Sequence, residues 1–213
     1  MRRRELKPMQ NKPVYIDVAQ GSVDWLALRA GVPSASNFGK IVTSKGEPSK
    51  QSDKYLYQLV GEKLLGAPTE TYQNDAMIRG QELEPEAREA YEFITDNKVE
   101  EVGFCYYDDN KLIGASPDGI IGEDGGLEIK CPSLPVHVEY LDKGKLPVIY
   151  LQQVQGCMLV TGRSYWDFFS YFPGLPPLLI RVERDEKFLG RLKPALDEFC
   201  EKLDDMTTRL KNE

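Results

Sequence analysis

The sequence has little histidine: His137 is the one histidine in 213 residues. A catalytic triad, or a zinc site built from imidazoles, needs at least that residue and usually more. The scarcity therefore disfavours histidine-based catalysis. Any chemistry in this chain is expected to come from carboxylates, lysine and amides.

Cysteine pairs and long apolar runs are missing as well. None of the four cysteines forms a C-x-x-C pair, so their spacing resembles no zinc site and predicts buried or incidental thiols. No apolar run approaches the ~20 residues of a membrane span. The basic start "MRRRELKPMQ" is not followed by an apolar segment, which argues against a secretory signal. We expect a cytosolic protein. The four cysteines are Cys105, Cys131, Cys157 and Cys200.

An excess of positive charge is also absent, since the formal net charge is -7 and the isoelectric point is about 5.0. This balance disfavours a uniformly basic surface for nucleic acid but leaves a locally basic groove possible. Hydrophobic residues make up 41% of the chain, which suffices for one sizeable core. We expect a loosely ordered N-terminal arm over residues 1–20 and a single domain over residues 21–213.

The order of predicted elements indicates an α/β fold. Helical signals occupy "SVDWLALRAGV" after Ser22, "PSASNFGKIV", "KYLYQLVGEKLLG" and the stretch from Asp75 to Thr95. Three β-rich segments follow, "VEEVGFCYYDD", "KLIGASPDGII" and "GLEIKC", and helices return over about 133–160. Two more strands, "SYWDFFSYF" and "PLLIRVER", precede a helix that starts from Asp185. This order predicts one core with a mixed central sheet and an N-terminal helical layer.

The stretch "SPDGIIGEDGGLEIKCP", residues 116–132, carries the candidate chemistry. Its "GEDGG" is typical of a hairpin turn, so Glu123 and Asp124 are expected in the turn and in solvent. Glu128 and Lys130 lie two apart on a strand and therefore point to one face. If Asp118 reaches that face, two carboxylates and an ammonium group converge.

Two neighbouring carboxylates repel each other unless a cation lies between them. Mg²⁺ suits such a site, because it takes hard oxygen ligands and needs only one or two carboxylates beside water and substrate phosphate. A neighbouring lysine can position or deprotonate the attacking water. The alternative is a surface hairpin with solvated charges, although the apolar neighbours of each charge favour partial burial.

Three further polar residues lie on predicted helices: Glu84, Arg88 and Gln153. Glu84 and Arg88 lie four apart on the predicted helix, and a surface ion pair explains their spacing. Gln153 in "YLQQVQGCML" lies on a largely apolar helix face. It is either an amide at the edge of the core or a group that orients water or phosphate.

Five stretches together resemble a known family: "DWLALRAGVPSAS", "RGQELEPEAREAYE", "ASPDGII", "LEIKCP" and "YLQQVQGCML". The chain resembles the PD-(D/E)XK, restriction-endonuclease-like nucleases, and within them the lambda exonuclease and YqaJ-type viral recombinases. The resemblance covers roughly residues 21–205. It implies a restriction-endonuclease-like core with a central mixed β-sheet flanked by helices, and a single exonuclease domain over residues 21–213.

The resemblance also implies roles for individual residues. Asp118 and Glu128 match the metal-binding carboxylates, and the backbone carbonyl of Ile129 completes that set. Lys130 matches the catalytic lysine. Glu84 matches a glutamate near the metal, and Gln153 matches a glutamine beside the active site.

A second set of matches implies a pocket for a DNA 5′-phosphate, formed by Arg29, Ser36, Ser116 and Gln153. From the residues alone, Arg29 is equally a salt-bridge arginine and Ser36 a helix cap. Met77 matches the position of an apolar wedge that splits the duplex, where a core residue is the alternative.

By the same resemblance, the activity is Mg²⁺-dependent 5′→3′ degradation of one strand of linear duplex DNA, with Mn²⁺ as a substitute. The implied partners are duplex DNA, a single-strand annealing protein and two further copies of the chain in a homotrimeric ring. The implied location is the cytoplasm of a bacterial host, with a phage or prophage gene. Lys45, Lys50, Lys54 and the N-terminal arginines are candidate DNA contacts or solvated surface charges. An endonuclease and a non-catalytic DNA-end-binding module remain the alternative functions.

Overall fold

The computed structural model describes residues 12–69 and 75–212, with the backbone alone for residues 75–77. Two helices begin at the side chains that the sequence nominates. The Ser22 hydroxyl accepts the Trp25 N–H at 3.2 Å before helix α1, Val23–Arg29. The Asp185 carboxylate accepts two N–H groups at 3.0 Å before helix α6, Glu186–Lys211. Both side chains satisfy donors that the first helical turn leaves free.

Four more α-helices lie between these two. Helix α3 runs unbroken through Pro85, which occupies an exposed position. The other predicted helices are also present, with "PSASNFGKIV" forming a 3-10 helix instead of an α-helix. The four helices are α2 Ser52–Leu65, α3 Asp75–Thr95, α4 Leu134–Lys143 and α5 Leu151–Thr161, and the 3-10 helices are Ala35–Lys40 and Val148–Tyr150.

Eight strands form two sheets in the described ranges. The larger sheet has the order β2-β5-β6-β7-β8, and the smaller has the order β1-β3-β4. Only β6 and β7 pair in parallel, which requires a long crossover, and α4 and α5 supply it. The strands are β1 Val14–Ile16, β2 Val99–Glu100, β3 Phe104–Tyr106, β4 Gly114–Ala115, β5 Gly119–Ile121, β6 Gly125–Lys130, β7 Tyr165–Ser170 and β8 Leu178–Glu183.

Two predictions about this region need correction. The segments "VEEVGFCYYDD" and "KLIGASPDGII" each form two short strands in different sheets, so the three predicted strands are five. The breaks fall where extended pairing is obstructed. Gly103 lies so close to Val18 that an added Cβ would meet its carbonyl oxygen at 2.1 Å. Pro117 has no N–H to donate to a ladder.

The second correction concerns the arm over residues 1–20. Residues 14–16 pair as β1 with β3, and Gln20 donates to the carbonyls of Val102 and Pro117 at 2.8 Å each. The end of the arm is therefore fastened beside the Pro117–Asp118 turn. Residues 1–11, with the N-terminal arginines, lie outside the described ranges.

Apolar residues cover both faces of the large sheet. One face packs under α3 through Ala87 and Tyr91, which contact Leu127, Ile129 and Phe169. The other face packs against α5, with α2 and α6 beyond it, around a larger cluster that contains Trp166. Because Glu128 alternates with Leu127 and Ile129 along β6, its side chain faces α5. The α/β fold with a mixed sheet between helices is confirmed. Within the described ranges, no helix has both the length and the apolar composition needed to cross a membrane.

Candidate active site

The hairpin β5–β6 brings Asp118 to the face that carries Glu128 and Lys130. Asp118 precedes β5 directly, and Gly119 pairs with Leu127 across the hairpin. The Asp118 Oδ2 atom accepts the backbone N–H of Ile129 at 2.7 Å. The carboxylate is thereby held at the level of the Glu128–Lys130 pair, and the three charged groups of the sequence stretch do converge.

Glu128 is completely buried and unevenly paired. Its Oε1 atom accepts from the Lys130 ammonium group and from Gln153 Nε2, the latter at 2.6 Å. Its Oε2 atom is buried and has no hydrogen-bond partner among the described residues. A buried oxygen without a donor is costly, so this atom is open to a cation or a water molecule.

The ionisation of the carboxyl groups reflects this crowding. Burial raises the pKa of Glu128 to about 8; Lys130 opposes this shift, and Asp118 adds to it. Burial also raises the pKa of Asp118, against the effect of Lys130. Glu84 has its pKa raised to about 7 by burial and by the charge of Asp118. Three carboxyl groups therefore hold protons more tightly than usual and would lose them more readily beside a bound cation.

Lys130 is held as an ammonium ion. Burial disfavours its charge, but the carboxylates of Glu128 and Asp118 outweigh that penalty and raise the pKa of Lys130. The ring of Tyr150 lies 5.5 Å from its Nζ atom. In its ammonium form the side chain can donate hydrogen bonds and offset negative charge.

Glu84 reaches the site from α3, and the ion pair with Arg88 is present as well. Arg88 Nη2 donates to Glu84 Oε1 at 2.7 Å, in the expected i, i+4 geometry. The side chains are 15% and 33% exposed, so the pair is not the solvated surface pair that the spacing suggests. It lies beside Asp118, because the same Nη2 atom approaches the Asp118 carbonyl at 3.4 Å.

A second polar cluster surrounds Arg29 at the end of α1. Arg29 Nη1 donates to the Ser116 hydroxyl at 2.9 Å, and its guanidinium lies 4.1 Å above the Trp25 ring. The Trp25 indole N–H also approaches Ser116 Oγ, at 3.1 Å. Burial lowers the pKa of Arg29. No carboxylate among the described residues forms an ion pair with this guanidinium.

The predicted phosphate-pocket residues are only partly assembled. Ser36 is exposed and contacts Ser34 and Asn37 instead of Arg29. Gln153 donates to Glu128, which places it in the carboxylate cluster. A cavity of about 90 Å³ adjoins Arg29, Ser34 and Asn37.

Other predicted residues have clearer positions. Glu123 and Asp124 are exposed in the β5–β6 turn, as expected. All four cysteines are free thiols, three of them buried. His137 is buried between the Ser170 hydroxyl and the Pro176 carbonyl, to which its Nε2–H donates, so it is bound into the fold. The side chain of Met77 lies outside what the structure describes.

Sequence reasoning missed two residues of this region. Trp25 supports both Arg29 and Ser116, and its i, i+4 spacing from Arg29 was the available signal. Arg88 was considered only as a partner of Glu84. Its approach to Asp118, 30 residues further along the chain, has no local signature.

A mixed sheet that presents Asp118, Glu128 and Lys130 together defines a restriction-endonuclease-like nuclease fold. The YqaJ-like viral recombinase domain matches residues 24–164, more than half of the chain. The chain belongs to this family.

Solved structures agree with that assignment. An alkaline exonuclease from Laribacter hongkongensis, LHK-Exo, is 34% identical, with 90% of this chain and 97% of that chain covered and a TM-score of 0.82. Its complex with dAMP is 33% identical over the same shares, with a TM-score of 0.81. A phage-related exonuclease from Haemophilus somnus 129PT is 15% identical over 84% of this chain and 96% of that chain; its TM-score of 0.65 shows a shared fold. No curated protein matches this chain in sequence.

Proposed function

We propose that this protein is a Mg²⁺-dependent exonuclease that degrades one strand of linear duplex DNA in the 5′→3′ direction. It starts from a 5′-phosphorylated end and leaves 3′ single-stranded overhangs for recombination by strand annealing. The observation that carries the proposal is the buried convergence of Asp118, Glu128 and Lys130, with one Glu128 oxygen lacking a partner. Family membership and the 34% identity to an alkaline exonuclease support it.

The donor set fits a hard divalent cation. Asp118 and Glu128 offer carboxylate oxygens, and the Ile129 carbonyl is the third proposed ligand. Among the described residues, no group of three or more His, Cys, Asp or Glu side chains is arranged to hold a metal ion. Mg²⁺ needs only one or two carboxylates, because it keeps several waters and shares its shell with substrate phosphate. When bound, the ion polarises the phosphodiester and lowers the pKa of water.

The remaining side chains position the attacking water and the carboxylates and stabilise the charge on the phosphate. As an ammonium ion, Lys130 orients the attacking water by hydrogen bonding and offsets the charge that develops on the phosphate. Gln153 holds Glu128 Oε1 through its amide and thereby fixes the carboxylate. Glu84 adds a third carboxylate at the edge of the site, where a water or a cation-bound water is its expected partner.

The Arg29 cluster is the proposed 5′-phosphate site. A half-buried guanidinium that contacts a neutral hydroxyl, with no direct ion pair among the described residues, favours an anion. Ser36 joins the site only if bound DNA draws it toward Arg29. The 33% identical structure with dAMP supports a site for 5′-nucleotides in this chain, because dAMP is a 5′-mononucleotide.

We further propose a homotrimeric ring that encircles duplex DNA and works with a single-strand annealing protein in the cytoplasm of a bacterial host. Lys45, Lys50 and Lys54 are exposed on one segment of the chain and are the proposed DNA contacts. In a ring, a basic channel is compatible with a net charge of -7, because acidic residues can occupy the outer surface. Light scattering in solution tests the trimer.

A nuclease assay on matched substrates tests the activity. We expect Mg²⁺-dependent release of mononucleotides from linear duplex with 5′-phosphate ends, slower release from 5′-hydroxyl ends and no attack on closed circles. Cleavage of closed circles would establish an endonuclease instead. Binding of duplex ends without nucleotide release, in Mg²⁺ and in Mn²⁺, would establish a non-catalytic end-binding module.

A further inference from the structure

Arg88 joins three segments around the candidate site. It lies on α3, one turn after Glu84, and its side chain is 15% exposed. Its Nη2 atom donates to Glu84 at 2.7 Å and approaches the Asp118 carbonyl at 3.4 Å. Its Nη1 atom pairs with Glu101 at 3.1 Å. One guanidinium thus connects α3 with the turn before β5 and with the loop after β2.

The surroundings of Arg88 explain why such a connection is needed. Glu84 and Asp118 are like charges near each other, and repulsion favours rotation of the partly exposed Glu84 toward solvent. Three and seven residues after Glu84 on α3, the buried residues Ala87 and Tyr91 pack against the large sheet and fix the helix backbone. Arg88 therefore fixes the side-chain conformation of Glu84 through its hydrogen bond. A planar guanidinium can hold a carboxylate and a carbonyl at once, which an ammonium group cannot do with the same geometry.

We propose that Arg88 is a positioning residue that holds Glu84 and the Asp118 turn in the arrangement that binds a divalent cation. This inference rests on the proposed function, since it assumes that the carboxylates take a cation. Replacing a residue that orients metal ligands typically weakens metal affinity by roughly 10–100-fold.

Titration of the metal-free protein with Mn²⁺ by calorimetry, without DNA, tests the role through the sign of the effect. Loss of a nearby positive charge should by itself strengthen cation binding. Positioning predicts the opposite: Arg88→Gln should weaken Mn²⁺ affinity roughly tenfold. Arg88→Lys, which keeps the charge and is the variant expected to fold, should weaken it by a similar factor.

Glu101→Gln is the matched control. It removes the ion pair of Arg88 with an exposed partner, 74% accessible, and leaves the contacts to Glu84 and Asp118. We expect wild-type Mn²⁺ affinity for this variant. Tighter or unchanged binding in Arg88→Gln, or wild-type binding in Arg88→Lys, would overturn the inference.

A double variant shows whether Arg88 acts through Glu84. If it does, Arg88→Gln should weaken Mn²⁺ binding much less when Glu84→Gln is already present than it does alone. If the effects of the two substitutions on the free energy of Mn²⁺ binding are fully additive, Arg88 does not act through Glu84. The two proposals fail separately: a wild-type protein that binds no Mn²⁺ and releases no nucleotides refutes the proposed function. An active wild type with normal Arg88 variants refutes only the role of Arg88.

Discussion

Two buried carboxylates on neighbouring strands of the large sheet have opposite surroundings. Asp167 on β7 is 1% exposed, and both its oxygens are paired. Arg181 donates to each oxygen at 2.9 Å, and the Tyr91 hydroxyl donates to Oδ2 at 2.7 Å. Glu128 on β6 is equally buried, yet two donors share one of its oxygens and the other has none among the described residues.

Burial alone does not distinguish the two carboxylates, whereas the number of oxygens with a hydrogen-bond partner does. Asp167 joins α3 to β7 and β8, and each of its oxygens already accepts from a protein donor. Glu128 is crowded by Asp118 and Glu84, and the pKa of its carboxyl is raised to about 8, with burial as the largest cause. If the proposed cation binds here, this group is expected to be stabilised most by it.

The largest expected effect comes from the ammonium group beside Glu128. Lys130→Ala should reduce nucleotide release by about 10²–10³-fold, the range for loss of one donor that stabilises developing charge. The fold should persist, as judged by circular dichroism. Lys143→Ala is the control, because Lys143 pairs with Glu139 at the surface. Equal rates for wild type and Lys130→Ala would refute the site assignment.

Asp167→Asn should affect stability instead of chemistry. Asp167 is buried but Arg181 is half-exposed, so the loss is expected to be about 1–3 kcal/mol, from the weakened hydrogen bonds of the buried side chain. Denaturant unfolding should show this loss, while nucleotide release per folded molecule stays near wild type. An Asp167→Asn variant of normal stability, or one that is folded but inactive, would contradict the purely structural role of Asp167.

The pH dependence of stability should reflect the raised pKa values of Glu128 and Glu84. Glu128 and Glu84 have folded-state pKa values of about 8 and about 7, above the ordinary 4.5. The folded state therefore binds more protons than the unfolded state between about pH 4.5 and 8, and this contribution to stability decreases as pH rises through that window.

Metal-free protein should accordingly be less stable at pH 8 than at pH 5 through this contribution, on the order of a few kcal/mol. Thermal unfolding of wild type and Glu128→Gln in a chelator gives the comparison. The variant should have the flatter profile, and Mn²⁺ should restore wild-type stability at pH 8. A profile that Glu128→Gln leaves unchanged would contradict the assignment of the raised pKa.

The two arginines extend the comparison on a smaller scale. Arg181 has a carboxylate partner, whereas Arg29 has the Ser116 hydroxyl. Ser116→Ala removes a hydrogen bond worth about 1 kcal/mol, so the preference for 5′-phosphate over 5′-hydroxyl ends should decrease about fivefold. The ratio of initial rates on the two ends measures it. An unchanged ratio would separate Ser116 from the phosphate site.

The smallest effect is expected in the β5–β6 turn. Glu123→Gln and Asp124→Asn neutralise exposed side chains, so each should change stability by no more than about 0.5 kcal/mol. Nucleotide release should also remain unchanged. A large loss of activity in either variant would extend the site into the turn.

Local patterns predicted most of the elements. The Ser22 cap, the helix that starts from Asp185 and the strand with alternating Leu127, Glu128 and Ile129 follow from short-range sequence signals. The division of strands between two sheets did not, because Gly103 and Pro117 act through contacts with distant segments.

Some contacts of the site could not be predicted from short-range sequence patterns either. Glu84 meets Asp118 only because α3 packs across the large sheet, and the Asp167–Arg181–Tyr91 network joins three separate elements. Such contacts depend on tertiary packing, for which spacing along the chain gives no direct signal. The resemblance to a family supplied Glu84, while Arg88 emerged only from the folded arrangement.

The most direct test of the account is a titration of three metal-free proteins with Mn²⁺, without DNA: wild type, Glu128→Gln and Asp167→Asn. At a temperature where all three are folded, wild type and Asp167→Asn should bind with the same affinity. Glu128→Gln should bind at least ~100-fold more weakly, since it loses a proposed ligand. Wild-type affinity in Glu128→Gln, or an equal loss in Asp167→Asn, would contradict the claim that Glu128, with its partnerless Oε2 atom, holds the cation.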